Sequence, residues 1–400
     1  MSNRIIEKLL NGAEVEWKPL GEVCVRTKGT KITAGQMKEL NKENAPIKIF
    51  AGGKTVAFVN FDDIPEKDIN TEPSIIVKSR GIIEFEYYDK PFSHKNEMWS
   101  YYSKDTNINI KFFYYFLKQS EPHFQSIGSK MQMPQIATPD TDKFLVPIPK
   151  PEIQEKIVKT LDKFTELEAT LEAELALRKK QYQYYRETLL TFPQDLDRGG
   201  YNDITKALYH SGNVVFKTLG EVAEYSQTRI KFDCLNEENY VGVDNLLQNR
   251  MGKINSNYVP TSGNLTEYKE NNILIGNIRP YLKKIWQANN CGGTNGDVLV
   301  IRITDSHVNP KYLYQVLADD KFFSYNMQHA KGAKMPRGNK SAILQYQIPI
   351  PPIEEQNHIV EILDKFDRLT NFISEGLPKE IELRRKQYEY YREQLLDFPK

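Results

Sequence analysis

RKKQYQYYRETLLTFP at residues 178–193 returns as RRKQYEYYREQLLDFP at residues 384–399, with 12 of 16 positions identical. A match of that length is not accidental, and it makes the chain an internal repeat with a period of about 200 residues. Moving toward the N-terminus of each copy, Ile157-Val158-Lys159-Thr160-Leu161-Asp162-Lys163-Phe164 answers Ile359-Val360-Glu361-Ile362-Leu363-Asp364-Lys365-Phe366. Val146-Pro147-Ile148-Pro149 answers Ile348-Pro349-Ile350-Pro351, and Lys130-Met131 answers Lys334-Met335. Further out, Asn109-Ile110-Lys111 answers Asn309-Pro310-Lys311, and Leu20-Gly21-Glu22-Val23 answers Leu219-Gly220-Glu221-Val222.

Each repeat thus holds a divergent stretch of roughly 150 residues followed by a similar stretch of roughly 40 to 50. The similar stretch is helical by period. Ile157, Phe164, Leu171, Tyr185 and Phe192 alternate with Leu161, Leu175, Tyr182 and Leu189 at spacings of three and four, interrupted only by Glu168 and Arg178. At 1.5 Å per residue such a helix is a rod of roughly 65 Å, and its seam demands a partner. The second copy supplies one, so an antiparallel coiled coil with a pseudo-twofold axis is expected. Four extra residues around Gly376-Leu377-Pro378 should break the second helix.

The divergent stretches read as mixed α and β. Short β-rich runs fall at residues 47–50, 56–59, 74–77 and 82–85, with a helix over 108–126; the second copy has runs at 239–243, 272–275, 284–286 and 297–303, with a helix over 310–327. The expected class is α+β: globular domains at residues 1–150 and 194–350, and long spacer helices at 151–193 and 351–400. Trp99 and Trp286 read as core.

Composition removes several classes. No apolar stretch approaches the roughly 18 residues of a membrane span, and the N-terminus has no apolar core of an export signal, so a cytoplasmic protein is expected. Three cysteines, Cys24, Cys234 and Cys291, support neither a disulfide framework nor a cysteine zinc site. Lys plus Arg number 54 against 53 acidic residues, so net charge points to no polyanionic partner.

Catalytic motifs fail one after another. The six histidines lack metal-binding spacing. Ala51-Gly52-Gly53-Lys54-Thr55 ends like a phosphate loop, but Lys48 stands where the first glycine belongs, and a tight turn between strands is expected instead. Neither G-x-S-x-G nor G-x-G-x-x-G after a strand occurs. Asn309-Pro310 lacks the second proline and aromatic residue of an amino-methylating site, and Pro139-Asp140 lacks the acid-x-Lys of a nuclease.

What remains is binding chemistry. Basic residues gather in loops with polar and aromatic neighbours: Lys28 and Lys31; Lys78 and Arg80; Lys95; Lys130; Arg229 and Lys231; Arg279, Lys283 and Lys284; Lys334 and Arg337. Lys and Arg supply phosphate contacts, and Arg in a groove can read a base edge. The equivalence of Lys130-Met131 with Lys334-Met335, and of residues 26–31 with 229–231, sets these loops apart from ordinary surface charge.

With these residues assembled, the chain resembles the specificity subunit of type I restriction-modification systems. The resemblance spans the whole chain and rests on the repeat, the Leu-Gly-Glu-Val openings, the Pro-Pro-Ile-Glu-Glu-Gln motif at residues 351–356, and the segment NILIGNIRPYLKK at residues 272–284, similar to one found in many target-recognition domains. In the first copy, residues 149–154 keep the prolines, Glu and Gln but read as shifted. The resemblance implies that each divergent domain is a target-recognition domain reading half of a bipartite duplex DNA site. It also implies that the chain has no catalysis and no bound cofactor. Two modification subunits would carry S-adenosylmethionine, and two restriction subunits would use ATP and magnesium. Pro149, Pro151, Gln154, Pro351, Pro352, Glu355 and Gln356 would contact these partners. Two rivals are a fused methyltransferase or nuclease, and a coiled-coil interaction scaffold with no role on DNA.

Overall fold

The computed structural model describes residues 5–128, 133–192, 214–370 and 376–399. They divide into two compact units, one of residues 1–172 with 381–400 and the other of residues 173–380.

In the first unit a four-stranded antiparallel sheet runs in the order Val25–Thr27, Trp99–Tyr102, Ser74–Lys78, Glu84–Tyr88. Ile75 faces Tyr101 and Val77 faces Trp99 across the central pair. The central strand Ser74–Lys78 is buried at every position, so its middle reads Ile75-Ile76-Val77 without apolar–polar alternation. The helix Ile110–Gln119 packs on this sheet. Asn109 starts it by accepting from the N–H groups of Lys111 and Phe112, satisfying donors that the first turn leaves unpaired. Its apolar face buries Phe112, Phe113, Tyr115, Phe116 and Leu117. A second helix, Glu121–Gly128, follows directly. A smaller sheet pairs Ile47–Phe50 antiparallel with Val56–Val59 and parallel with Phe92–His94. The turn in between holds Gly53 at φ +66° and no phosphate-cradling helix follows it, as expected for residues 51–55.

The second unit repeats this plan. Its main sheet runs Ala223–Tyr225, Val298–Ile303, Ile273–Gly276, Ile285–Gln287, all antiparallel. Asn309 starts the helix Pro310–Leu317 just as Asn109 does, and Asp320–Gln328 follows. The second sheet has one more strand, in the order Arg229–Lys231, Asn264–Tyr268, Gly292–Thr294, Tyr240–Val241. In this plan Val25–Thr27 corresponds to Ala223–Tyr225, so the equivalence expected between residues 26–31 and 229–231 is displaced by several positions.

An antiparallel clasp closes each domain where the chain enters and leaves it. Glu16–Pro19 pairs with Leu145–Ile148, setting Trp17 opposite Pro147; Val215–Thr218 pairs with Gln347–Ile350, setting Phe216 opposite Pro349. Each clasp delivers the chain into a long helix. The first is continuous from Pro151–Leu189; the second is described as Ile353–Thr370 and Gly376–Leu396. Gly376 has φ +74°, which no helix interior adopts, so the expected break falls there.

Helices pair antiparallel inside each unit. In the first, Phe164 stacks on Tyr391 with centroids 5.2 Å apart, and Arg385 bridges Glu168 and Glu172. In the second, Tyr182 and Tyr185 stack on Phe366 at 5.9 and 5.3 Å. The strongly repeated stretch ends in the domain core. Leu395, Leu396 and Phe398 join the first unit's core, where Phe398 meets Phe112 edge-on at 5.8 Å. Leu189, Leu190 and Phe192 join the second unit's core. Each domain is therefore completed by the far end of the other repeat's helix, and both copies of that stretch must fit equivalent seats. Three such buried side chains contribute roughly 5–9 kcal/mol, comparable to the net stability of a domain.

Candidate nucleic-acid interface

Both units lace the same two loops together. In the first, the chain leaving Ser74–Lys78 turns at Ser79 and Arg80 and runs against the loop that follows the helix pair. Arg80 bridges Gln135, Gly81 N donates to Pro134 O at 2.8 Å, and Ile136 N donates to Ser79 O at 3.0 Å. In the second, the chain leaving Ile273–Gly276 does likewise. Ile278 bridges Arg337, Arg279 N donates to Pro336 O at 2.7 Å, and Gly338 N donates to Asn277 O at 3.0 Å. The approach is close: a Cβ on Gly338 would lie 2.6 Å from Asn326 Oδ1 and 2.7 Å from Asn277 Oδ1.

Each laced pair presents exposed cations beside exposed apolar tips. Arg80 stands with Ile82 and Met133, which are 68% and 62% exposed. Arg279, Lys331 and Lys334 stand with Tyr281 and Met335, which are 50% and 49% exposed. Cations with apolar tips beside them have the chemistry that meets base edges and thymine methyl groups in a groove. The sequence does not mark these tips as exposed, because exposure is set by the fold: Ile82 is open while its neighbour Ile83 is buried.

A second loop pair borders the first unit's smaller sheet. Thr30 bridges Lys95, and Thr30 N donates to His94 O at 2.8 Å. Gly29 permits this, since a Cβ there would come within 2.2 Å of that carbonyl. Lys31, Lys95, Asn96 and Glu97 line a shallow depression of about 480 Å³ with residues 30 and 32–34.

The structure sorts the basic residues singled out in the sequence. Lys28, Lys31, Arg80, Arg229, Lys231, Arg279, Lys334 and Arg337 are exposed, with Arg229 held to Thr266 Oγ1 and Arg337 to Asp297. Lys95 pairs with Glu97 at 2.8 Å, Lys283 with Asp320 at 2.8 Å, and Lys284 donates to Val243 O at 2.6 Å. Lys130 lies outside the described residues. Lys78 requires correction as a phosphate contact. Its side chain is 10% exposed and bound by Glu84 at 2.7 Å and Glu86 at 2.9 Å. Burial works against its charge, but the two carboxylates outweigh burial and hold the ammonium above the ordinary lysine range.

Two residues expected to face partners are also corrected. Gln154 is fully buried; its Oε1 accepts Asn109 N at 2.8 Å, and its Nε2 donates to Asn107 O at 3.1 Å and Pro149 O at 2.7 Å. Gln356 is fully buried too, with Oε1 accepting Asn309 N at 2.8 Å and Nε2 donating to His307 O at 2.9 Å and Pro351 O at 2.8 Å. These are the same clamp, 202 residues apart, so the glutamine is not shifted in the first copy. It fastens the helix start to the domain exit and offers no atom to a partner. Pro149 and Pro351 are buried beside it, Pro352 and Glu355 are half-buried, and Pro151 is exposed.

Among the described residues no helix is long and apolar enough to cross a membrane, and no three His, Cys, Asp or Glu side chains are grouped to hold a metal. The chain matches the type I restriction modification DNA specificity domain twice, over residues 13–177 and 212–383. It belongs to the family of type I restriction-modification specificity subunits. Each match in this specificity subunit takes in one globular domain and most of the long helical stretch that follows. It is 31% identical over 427 aligned residues to the type I restriction enzyme EcoR124I/EcoR124II specificity subunit of Escherichia coli, covering 99% of this chain and 97% of that one. It shares its fold with the crystal structure of the type I restriction-modification S subunit from M. genitalium. The TM-score is 0.62 at 18% identity, covering 98% of this chain and 97% of that chain.

Proposed function

We propose that this specificity subunit reads double-stranded DNA with both units, one half of an asymmetric bipartite site to each, and that it performs no chemistry itself. One observation carries the reading: the two units present different side chains on the same laced loops, Arg80, Ile82 and Met133 in one and Arg279, Tyr281 and Lys334 in the other. One architecture with unlike tips recognises unlike sequences in one manner, and the bases between the halves go unread. The coiled-coil helices set the spacing. Two matches to a DNA specificity domain favour this over an interaction scaffold with no role on DNA.

The helices also carry a repeated surface. Leu177 and Tyr184 are 65% and 49% exposed on the first long helix, and Leu383 and Tyr390 are 48% and 56% exposed on the second. The pairs are 206 residues apart in sequence, so each helix offers the same apolar patch. Two equal patches suit two copies of one partner, the modification subunit. Those subunits would bring S-adenosylmethionine and methylate one adenine in each half-site. Two restriction subunits, using ATP and magnesium, would join for cleavage in the cytoplasm. The near-neutral charge of +1 fits a chain that borrows phosphate contacts from its partners, so alone it should bind DNA weakly and with a shallow salt dependence.

The test is co-expression with the cognate modification subunit in a host lacking adenine methylation, followed by genome sequencing for N6-methyladenine. A gapped motif with two unlike halves is expected, and exchanging residues 1–150 should alter one half only. Tight sequence-specific binding by the chain alone at physiological salt would contradict the division of labour.

A further inference from the structure

Seven non-glycine residues have positive φ among the described residues. Four are asparagines, which tolerate the left-handed region; the other three are Arg250 at 66°, Arg279 at 54° and Lys283 at 52°. All three meet at one turn. Arg279 and Lys283 flank the single helical turn Pro280–Leu282, and Arg250 N donates to Lys283 O at 3.0 Å. Below the turn, Asp320 receives both the Arg250 guanidinium and, at 2.8 Å, the Lys283 ammonium. On the other side, Arg279 N is fixed to Pro336 O. The turn joins the paired strands Ile273–Gly276 and Ile285–Gln287, so left-handed residues are in keeping with a hairpin connection. Two long basic side chains in place of glycine or asparagine there, held by ion pairs from another element, mark the loop as one whose side chains are used.

The turn aims two groups outward. Tyr281 is half-exposed at its tip, and Arg279 is exposed and makes no ion pair among the described residues. Nearby cations are mostly committed: Arg337 to Asp297, Lys283 to Asp320, Lys284 to Val243 O. Lys331 and Lys334 are exposed on the opposing loop.

We propose that Arg279 is the base-reading residue of the second unit, donating from its guanidinium to the O6 and N7 edge of a guanine in the major groove, with Tyr281 packed against the neighbouring nucleotide. Arg250 and Asp320 are positioning residues that hold the turn, and Lys331 and Lys334 bind phosphate. A fixed backbone at Arg279 holds the point from which its side chain reaches, which lowers the cost of ordering the loop on binding, and the planar guanidinium fork supplies the discrimination between bases. This rests on the reading that the unit binds DNA.

The experiment compares methylated motifs made by the full chain with its modification subunit. Arg279→Ala and Arg279→Lys should both relax one guanine position in one half-site, weakening discrimination there by about 5- to 150-fold, and leave the other half unchanged. Lys334→Ala should lower methylation at all sites and keep the motif. Asp320→Asn should relax the same guanine position, and Asp320→Glu should restore it. An unchanged motif with either Arg279 variant overturns the proposal. So does complete loss of methylation by both variants in complexes that assemble and melt normally, because loss of one base contact leaves residual activity. If the unsubstituted complex methylates no defined motif, the DNA reading itself fails.

Discussion

Arg186, near the end of the first long helix, donates to both the side-chain oxygen and the backbone carbonyl of Gln315. The same guanidinium donates to Tyr182 OH at 3.2 Å and lies 3.7 Å from the Asp319 carboxylate, with 8% of its side chain exposed. The helix end is therefore fastened to the domain by charge as well as by Leu189, Leu190 and Phe192. Truncation would strand two acceptors in a buried place. Arg186→Ala should cost about 3 kcal/mol, seen as a lower melting temperature of the second unit, and Arg186→Lys should recover only part, since one ammonium cannot replace the planar fork.

The glutamine clamps make a matched pair of predictions. Gln154→Ala leaves Asn109 N and two carbonyls without their partner at the junction of domain and helix, and Gln356→Ala does the same in the second unit. Each should cost about 2–4 kcal/mol. Differential scanning calorimetry should show the lower-temperature transition change identity between the two variants. Equal loss of partner binding with unaltered melting would contradict a clamp.

Acid should destabilise the first unit in two steps. His94 is fully buried and burial lowers its pKa below 6.5. Its Nδ1 lies 3.1 Å from Lys95 O, which only accepts, so Nδ1 carries the proton and Nε2 accepts from Thr27. The unfolded chain takes up a proton at this site first, so stability falls as pH drops below about 6.5. Glu86 follows. Burial works to raise its pKa, but Lys78 and Lys48 overcome it and leave a net depression. A depressed carboxylate adds stability above its unfolded value and loses it below, here from about pH 5 downward. Melting curves of His94→Gln should lack the upper step and keep the lower one.

The repeat, the helices and the break at Gly376 are legible because helical period and a 200-residue echo are local signals. The central strands at 74–78 and 298–303 stand out as β-branched runs. Trp99–Tyr102 and Gly292–Thr294 do not. The first is aromatic and buried on both faces, and the second uses glycines because a Cβ on Gly292 would sit 1.9 Å from Asn239 O. Among site residues, Lys78 misleads because its carboxylate partners lie on the adjacent strand. Gln154 and Gln356 mislead because a polar residue beside prolines reads as surface until its three hydrogen bonds are seen.

The exposed helix patches give the sharpest separation between folding and assembly. Leu177, Tyr184, Leu383 and Tyr390 belong to none of the hydrophobic cores, and apart from the edge contacts of Tyr184 with Tyr185 and of Tyr390 with Tyr391 their replacement removes little packing. Leu177→Ser with Tyr184→Ser should change the unfolding free energy by no more than about 0.5 kcal/mol per substitution while weakening one of the two modification-subunit sites. Sizing with light scattering should then count one such subunit instead of two, and the matching pair Leu383→Ser with Tyr390→Ser should remove the other. Loss of both subunits from a single pair of substitutions would mean that the patches act jointly; an unchanged stoichiometry with all four would mean that the partner docks elsewhere, and the apolar echo on the two helices would need another explanation.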